Sequence, residues 1–318
     1  MTILVTGASG FVGGAYMQRV QGRAGLLLHG IGRRRLEIPN YTAVDLSRPF
    51  DVPFDPDVVV HAAARASPWG TRADYQRQNV EATRQVIDFC TRRGRPRLVY
   101  VSSSSVFYRE GHQFGMTEES PIGPTFVNDY AATKYEGECL VRAYPGEWTI
   151  VRPRAVFGPG DTVLFPRVLR AATRGMLPFI DTGSTPAVGD LIYIDTLCDY
   201  LHAAVLSPQA TRRALNLTNN QPVAIWPFLL EIFERLGLPR PTRRVSFRTA
   251  MLAARASEAI FRVLRLPGEP PITRYGVGVF AWSKTFDVSR ALETFGPPSV
   301  SLQEGVERFV AWQRGTQG

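Results

Sequence analysis

Ile3-Leu-Val-Thr-Gly7-Ala-Ser-Gly10-Phe-Val-Gly13 opens the chain with an apolar strand-type run, a glycine turn and the start of a helical pattern. Nothing separates the three. Gly7 permits a tight turn, Gly10 lets backbone approach a pyrophosphate, and Gly13 lets the following helix pack close to the sheet. The helix N-terminus then turns its N–H groups toward the anion. Three spaced glycines alone are weak evidence. Directly after a first strand and opening a helix, with Ser9, Phe11 and Val12 between them, they read as a dinucleotide cradle.

Working outward, short apolar runs alternate with longer helical patterns, the mark of βαβ units and a parallel sheet. Strands are expected at Ile3–Thr6, Leu26–Ile31, Tyr41–Val44, Val58–His61, Arg97–Ser102 and Thr149–Arg152. Helices are expected near Phe11–Gln21, Asp74–Arg93 and Asp129–Ala143. In the second of these Val80, Val86, Ile87 and Cys90 form an apolar stripe that reads as core packing. After Pro153 the alternation breaks down. Gly158-Pro159-Gly160 and Leu177–Gly189 look loop-rich, Asp195–Leu206 and Ile225–Leu236 helical, and Ala214–Thr218 a strand. Ser301-x-x-Glu304 is a capping box for a last helix running to about Gln313. The expected fold is α/β, a doubly wound parallel sheet (Rossmann) with a smaller, mostly C-terminal substrate lobe. Residues 1–155 would form the nucleotide domain, with 190–218 returning to it, and 156–318 the lobe.

Composition narrows the partners. The 318-residue chain is 44% hydrophobic and 20% charged, ordinary for a globular enzyme, with a net charge of +9. That charge is scattered in short pairs such as Arg92-Arg93 and Arg212-Arg213, whereas nucleic-acid binders concentrate it on a face. No nucleic acid is expected. Cys90, Cys139 and Cys198 are isolated, which fits a reducing cytoplasm and offers neither a disulfide framework nor a metal site. No apolar run approaches the ~18 residues of a membrane span, and no secretory leader pattern precedes Ile3. A cytoplasmic homodimer is the expectation.

Of 37 basic side chains only Lys134 and Lys284 are lysines. A chain that writes its cations as arginine uses lysine where a compact ammonium is wanted. Tyr130 and Lys134 stand at i and i+4, on one helical face. A tyrosine of pKa ~10 shuttles protons poorly at neutral pH unless its phenolate is stabilised. Lys134 and the positive charge of an oxidised nicotinamide would both do so. Ser103, 27 residues before Tyr130 at the end of the fifth strand, could hydrogen-bond a carbonyl oxygen while Tyr130 donates the proton. Four consecutive serines leave that register open, and spacing to Val106 favours Ser103. Together these point to a nicotinamide-dependent oxidoreductase with Ser103, Tyr130 and Lys134 catalytic. His61 reads as a packed residue without chemistry. Where an acidic residue would mark NAD, the second strand ends in Gly32-Arg33-Arg34-Arg35. Arg33 and Arg34 can pair with a 2′-phosphate, or be solvated surface charge. NADP is expected, with NAD the alternative.

The chain resembles the extended short-chain dehydrogenase/reductase family from Ile3 to about Phe309, and within it the 3β-hydroxysteroid dehydrogenase-like branch. The resemblance rests on Thr6-Gly-Ala-Ser-Gly-Phe-Val-Gly13, His61-Ala-Ala-Ala-Arg-Ala-Ser-Pro-Trp-Gly70 and Val101-Ser-Ser-Ser-Ser-Val-Phe107. It continues in Asp129-Tyr-Ala-Ala-Thr-Lys134, Val151-Arg-Pro-Arg-Ala-Val-Phe-Gly-Pro-Gly160, Leu191-Ile-Tyr-Ile-Asp195 and Glu269-Pro-Pro-Ile-Thr-Arg274. It implies hydride transfer at a secondary alcohol or ketone. It assigns Asp45 and Leu46 to the adenine, Ala62, Ala63 and Ala64 with Pro153, Ala155 and Val156 to the nicotinamide side, and Asn79 to cofactor binding. Val106-Phe107-Tyr108 departs from the Val-Tyr-Gly of many sugar-nucleotide relatives.

The expected substrate is a hydrophobic 3-oxo or 3-hydroxy compound. Its pocket would draw on Pro68-Trp69, Phe107-Tyr108, Trp226 and the Phe247–Leu266 segment, although Trp226 reads equally well as lobe core. Phe247, Met251, Ala254, Phe261 and Leu264 lie near one helical face, with Arg248, Arg255, Arg262 and Arg265 interspersed. Such a helix packs in the lobe, walls a pocket or touches a membrane surface. A nucleotide-sugar epimerase or dehydratase and a non-catalytic NADP-sensing binding protein are the competing readings.

Overall fold

In a computed structural model of the chain, residues 1–67, 69–183 and 186–316 are described. Seven parallel strands form the central sheet: β1 (Thr2–Thr6), β2 (Leu27–Gly32), β3 (Tyr41–Ala43), β4 (Val58–His61), β5 (Arg97–Val101), β6 (Trp148–Pro153) and β7 (Arg213–Leu217). Their order is β7-β6-β5-β4-β1-β2-β3. The chain winds outward from β1 to β3, then restarts at β4 on the other side. The reversal leaves a crevice beyond the carboxyl ends of β1 and β4, where ligands bind in open α/β sheets.

β4 and β6 are buried along their whole length, so their sequences are near-continuous apolar runs, as strands covered on both faces require. Alternate side chains enter separate cores. Ile3, Val5, Val58 and Val60 face one side with Tyr16 and Val20 of α1 (Phe11–Val20). Leu4, Val59, Leu98 and Ile150 face the other, with Val86 and Phe89 of α2 (Ala82–Arg92) and Val141 of α3 (Asp129–Arg142). On the first side α4 (Ile194–Leu206) lies beside α1.

The helix expected from Asp74 is more elaborate. It starts as the turn Arg72–Tyr75, where Thr71 Oγ1 accepts the Asp74 N–H at 3.1 Å, and becomes π-helical over Gln76–Glu81 before α2. In the lobe, Gln113–Met116, Val188–Gly189, Val223–Ala224 and Lys284–Phe286 form a four-stranded sheet, and Phe179–Asp181 pairs with Arg244–Ser246. Two of these strands lie inside the stretch 177–189 expected to be loop. Two or three residues are too few to show alternation. α5 (Phe247–Val263) stops short of the expected Leu266, and Leu264, its C-cap, lies on an edge of the helix away from the buried Ala250, Met251 and Ala254 and is 64% exposed. α6 (Arg274–Ala281) follows. Ser301 Oγ accepts the Glu304 N–H at 3.1 Å, and the helix it caps runs to Gly315, two residues past expectation.

Candidate active site

Tyr130 and Lys134 ride on the first turns of α3. Asn128 caps that helix by accepting the Ala131 N–H at 2.9 Å, which fixes where its tyrosine face begins. Ser103 follows β5 and caps a 3-10 turn at Ser104–Phe107. Its hydroxyl accepts from the Ser105 N–H at 3.2 Å and the Ser105 hydroxyl at 2.9 Å. Of the four serines, Ser102, Ser104 and Ser105 are buried, and Ser102 Oγ is committed to Glu138 at 2.6 Å. Ser103 alone is partly open, and it hydrogen-bonds the Tyr130 phenol.

Burial pushes the Tyr130 phenol up to about 12, opposed by the Ser103 hydrogen bond and reinforced by Tyr275 and Tyr75 nearby. Lys134 is 2% exposed, with Nζ 4.2 Å from the centre of the Tyr100 ring. Its desolvation lowers the ammonium to about 7, against the pull of Glu138. A phenol raised and an amine lowered stand on one helix face, so burial pushes their proton affinities apart: the phenol holds its proton while the amine gives its own up near neutral pH.

Beneath them lies a group with no signature in sequence spacing. Arg152 of β6 donates through Nε and Nη2 to Glu138 of α3 at 2.9 and 2.6 Å, both side chains buried, with the Arg152 guanidinium 4.8 Å from the Phe107 ring centre. Glu138 is at i+4 from Lys134, so the pair ties the Tyr130 face to the sheet. His61 is fully buried between Thr6 Oγ1 (2.7 Å) and Thr83 Oγ1 (3.0 Å), and burial lowers it to about 3. It is neutral packing, as read from sequence. Asn79, in the π-helical stretch, accepts the Arg65 N–H at 2.7 Å and donates to Thr133 at 3.0 Å. Its amide joins the loop after β4 to α3.

The glycine turn fits a dinucleotide closely. A Cβ on Gly7, at φ +70°, would sit 2.7 Å from the Ala63 backbone, and one on Gly13 would sit 2.4 Å from the Gly7 carbonyl oxygen. The α1 N-terminus has Gly10 at its cap, no capping side chain and no acidic residue in its first turn. Its orphan N–H groups therefore face outward, as an anion requires. Ser9, Phe11 and Val12 lie in this turn, and Ala62, Ala63 and Ala64 follow β4 across the crevice. Pro153 ends β6, Ala155 adopts φ +43°, and Val156 pairs with Ile192. Arg33 and Arg34 are exposed after β2, Arg33 donating to Gln78 at 3.2 Å. Asp45 is held below the usual carboxylate range by the Ser47 N–H and hydroxyl, then by Arg48 and Arg33; Leu46 beside it is buried.

Beside Tyr130, where Tyr275 reaches it, a small apolar pocket of about 10 Å³, room for one water, is lined by Tyr108, Val127, Tyr275, Gly278, Val279 and Trp282 together with Arg109 and Lys284. Tyr108 and Tyr275 stack with centroids 6.3 Å apart. Arg154 lies 5.0 Å from the Tyr108 ring centre, and Asp190 near it is raised to about 6 by burial. Tyr275 was not among the expected residues. It directly follows Glu269–Arg274, and only the turn into α6 brings it over the crevice. Trp69 packs edge-on against Phe261 at 6.5 Å, Trp226 stacks between Phe179 and Phe280 in the lobe core, and Pro68 lies outside the described residues.

The family description "NAD dependent epimerase/dehydratase family" matches residues 3–217, about two-thirds of the chain. The chain belongs to that family. The chain is 32% identical to the 2-alkyl-3-oxoalkanoate reductase of Stenotrophomonas maltophilia, covering 98% of this chain and 99% of the relative. It is 32% identical to 3beta-hydroxysteroid-dehydrogenase/decarboxylase isoform 1 of Arabidopsis thaliana, over 80% of this chain and 61% of that protein. Among solved structures, UDP-glucuronic acid 4-epimerase from Bacillus cereus in complex with NAD superposes with a TM-score of 0.75 over the full length of both chains at 20% identity, a likeness of fold. The epimerase/dehydratase family member here is thus an NAD(P)-dependent oxidoreductase of the extended short-chain type, in the 3β-hydroxysteroid dehydrogenase-like branch. No helix among its described residues is long and apolar enough to cross a membrane.

Proposed function

We propose that the enzyme interconverts the ketone and secondary alcohol of a hydrophobic 3-oxo/3-hydroxy substrate, such as a 3β-hydroxysteroid or a long-chain 2-alkyl-3-oxo acid, using NADP. The observation carrying this reading is the Ser103–Tyr130–Lys134 group set against apolar side chains of the lobe, with Tyr275 beside Tyr130 and Tyr108 stacked on Tyr275. The names of the relatives in Stenotrophomonas and Arabidopsis support the same substrate class.

When bound, the dinucleotide supplies or takes the hydride. Ser103 holds the substrate oxygen through its hydroxyl. Tyr130 gives its proton to that oxygen in reduction and recovers one in oxidation. Lys134 holds positive charge behind the phenol, and its fall to about 7 lets it gain and lose a proton under working conditions. Gly7, Ser9, Gly10, Phe11, Val12 and Gly13 seat the pyrophosphate, and Arg33 and Arg34 the 2′-phosphate. Asp45 and Leu46 border the adenine. Ala62 to Ala64, Pro153, Ala155 and Val156 flank the nicotinamide, and Asn79 serves cofactor binding by holding the loop after Ala64 against α3. We divide the chain at 155/156, with 190–218 counted in the nucleotide domain, and infer a cytoplasmic homodimer. The test is NADPH oxidation with 2-alkanones and 3-oxo esters of rising length, alongside UDP-glucose and UDP-galactose. Turnover of the sugar nucleotides with no response to chain length would move the enzyme to the epimerase side.

A further inference from the structure

α5 is apolar on two opposite faces. Its inner face buries Ala250, Met251 and Ala254, and its buried Glu258 accepts the Arg274 N–H at 2.8 Å and the Arg274 Nε at 3.0 Å. That locks α5 to α6. At 100° per residue the outward face carries Leu252, Ala253, Ala256, Ala259, Ile260 and Val263. Leu252 is 65% exposed, Ile260 51% and Val263 79%. A globular helix of this length normally turns charge outward; this outward face has none.

The charge lies along one edge instead. Arg248, Arg255 and Arg262 recur every seven residues, forming a single ridge beside the outward face. All three are exposed, and among the described residues none makes an ion pair; Arg262 lies 5.2 Å from the Trp69 ring centre. The other edge, Ser257 and Leu264, offers no carboxylate to a neighbouring ridge. A second copy of the chain brought against this face would supply apolar area and no acidic partner.

We propose that the outward face of α5 rests on an anionic lipid bilayer, with Leu252, Ile260 and Val263 among the acyl chains and Arg248, Arg255 and Arg262 on the phosphates. An apolar face edged by cations is the composition of helices that lie in the membrane interface. Arginine suits it, since its stem covers apolar surface while its planar head grips phosphate. The placement is useful to the site. Glu269, just beyond α5, accepts hydrogen bonds from Ser67 Oγ and Arg167, and Trp69 packs on Phe261. The C-terminal end of the docked helix therefore adjoins the loop after β4, and a substrate dissolved in the bilayer has a short path to the crevice. That last step rests on the substrate class proposed above; the docking itself does not.

The experiment is co-sedimentation of the full chain with vesicles of phosphatidylcholine alone or mixed with phosphatidylglycerol, without substrate or cofactor. Wild type is expected on the mixed vesicles, at least ~10-fold more than on neutral ones. The double variant Leu252→Glu/Val263→Glu should lose binding by a similar factor, with an unchanged melting temperature. Arg248→Ala/Arg255→Ala should keep the fold and lose the preference for phosphatidylglycerol. Absence of wild type from the mixed vesicles overturns the proposal, as does undiminished binding by the glutamate variant. A wild-type dimer, absent from vesicles, that the same glutamates convert to monomer gives the face to a second copy instead. Because no turnover is read, failure here leaves the proposed reaction standing, and failure of the reaction leaves the docking.

Discussion

Lys134 is a lysine whose surroundings favour the amine over the ammonium. Burial lowers it to about 7 from an ordinary 10.5, so between those values the unfolded chain holds a proton that the folded one has released. Stability then rises with pH across that window, and below about 7 the full cost of the buried charge is present. Lys134→Met is expected to raise the melting temperature most near neutral pH and least near pH ~10, a difference on the order of a few kcal/mol. Turnover should be lost in the same variant. Calorimetry at a series of pH values checks the slope, and a flat difference would mean that Lys134 is not desolvated in solution. Tyr130→Phe should cut kcat at least ~10²-fold while fluorescence titration still shows cofactor binding. Arg33→Ala should narrow a roughly tenfold or greater preference for NADPH over NADH in kcat/KM, since charge-assisted bonds are worth ~1.5–3 kcal/mol. A wild type preferring NADH would reduce Arg33 and Arg34 to surface charge. Residues of this kind are legible in sequence because their spacing is local: i to i+4 for the pair, one turn for the glycines. Tyr275, Glu138 and Asp190 act through contacts that no spacing announces.

α3 carries the site, and the Glu138–Arg152 pair holds α3 to β6. A buried pair broken on one side leaves an uncompensated charge, at a cost of about 3–5 kcal/mol. Arg152→Met should therefore destabilise by that amount in urea unfolding. Glu138→Leu/Arg152→Met together should recover part of it, because the unpaired charge is gone while the Ser102 hydroxyl and Lys134 lose a partner. If the double variant is as weak as the single, the arginine's contact with Phe107 matters more than its charge. Elements show the same divide between local and remote information. β1 to β6, α1 and α3 are visible in sequence because each has four or more periodic residues or a capping signal, β3 being the short exception. The lobe strands are two to four residues long and pair across distances such as Gln113 with Lys284. The π-helical stretch is invisible for another reason: it places Asn79 between Arg65 and Thr133, a demand of tertiary packing on an otherwise helical sequence.

For the whole molecule, one parallel sheet supplies the crevice at its carboxyl edge and the lobe sets apolar side chains beside Tyr130. The sheet architecture could be read from the first 13 residues and the alternation after them; the apolar character of the cavity needed α6 in place. A cavity gains about 0.8 kcal/mol for each CH₂ it takes from water. Four added carbons exceed a pocket of about 10 Å³, so α6 must move aside to admit them; lengthening the alkyl chain by that much should then raise kcat/KM by up to ~200-fold. Val279→Trp should flatten that series while leaving a short ketone unaffected, and a variant that keeps the full chain-length response would place the alkyl chain elsewhere.

Both side-chain amines of this protein are shut away. Lys134 is 2% exposed, and Lys284 is 3% exposed with Nζ donating to the Arg109 and Gly111 carbonyls and to Gln113 at 2.6–2.7 Å. An amine-acylating reagent meets 35 arginines that do not react and no accessible ε-amine among the described residues. Neither ε-amine should accept an acyl label in the folded chain. Any slow label on a lysine must await the opening of α3 or of the strand Lys284–Phe286. The acylation rate of each lysine, followed by mass, therefore becomes a clock for local unfolding at the heart of the site and in the lobe.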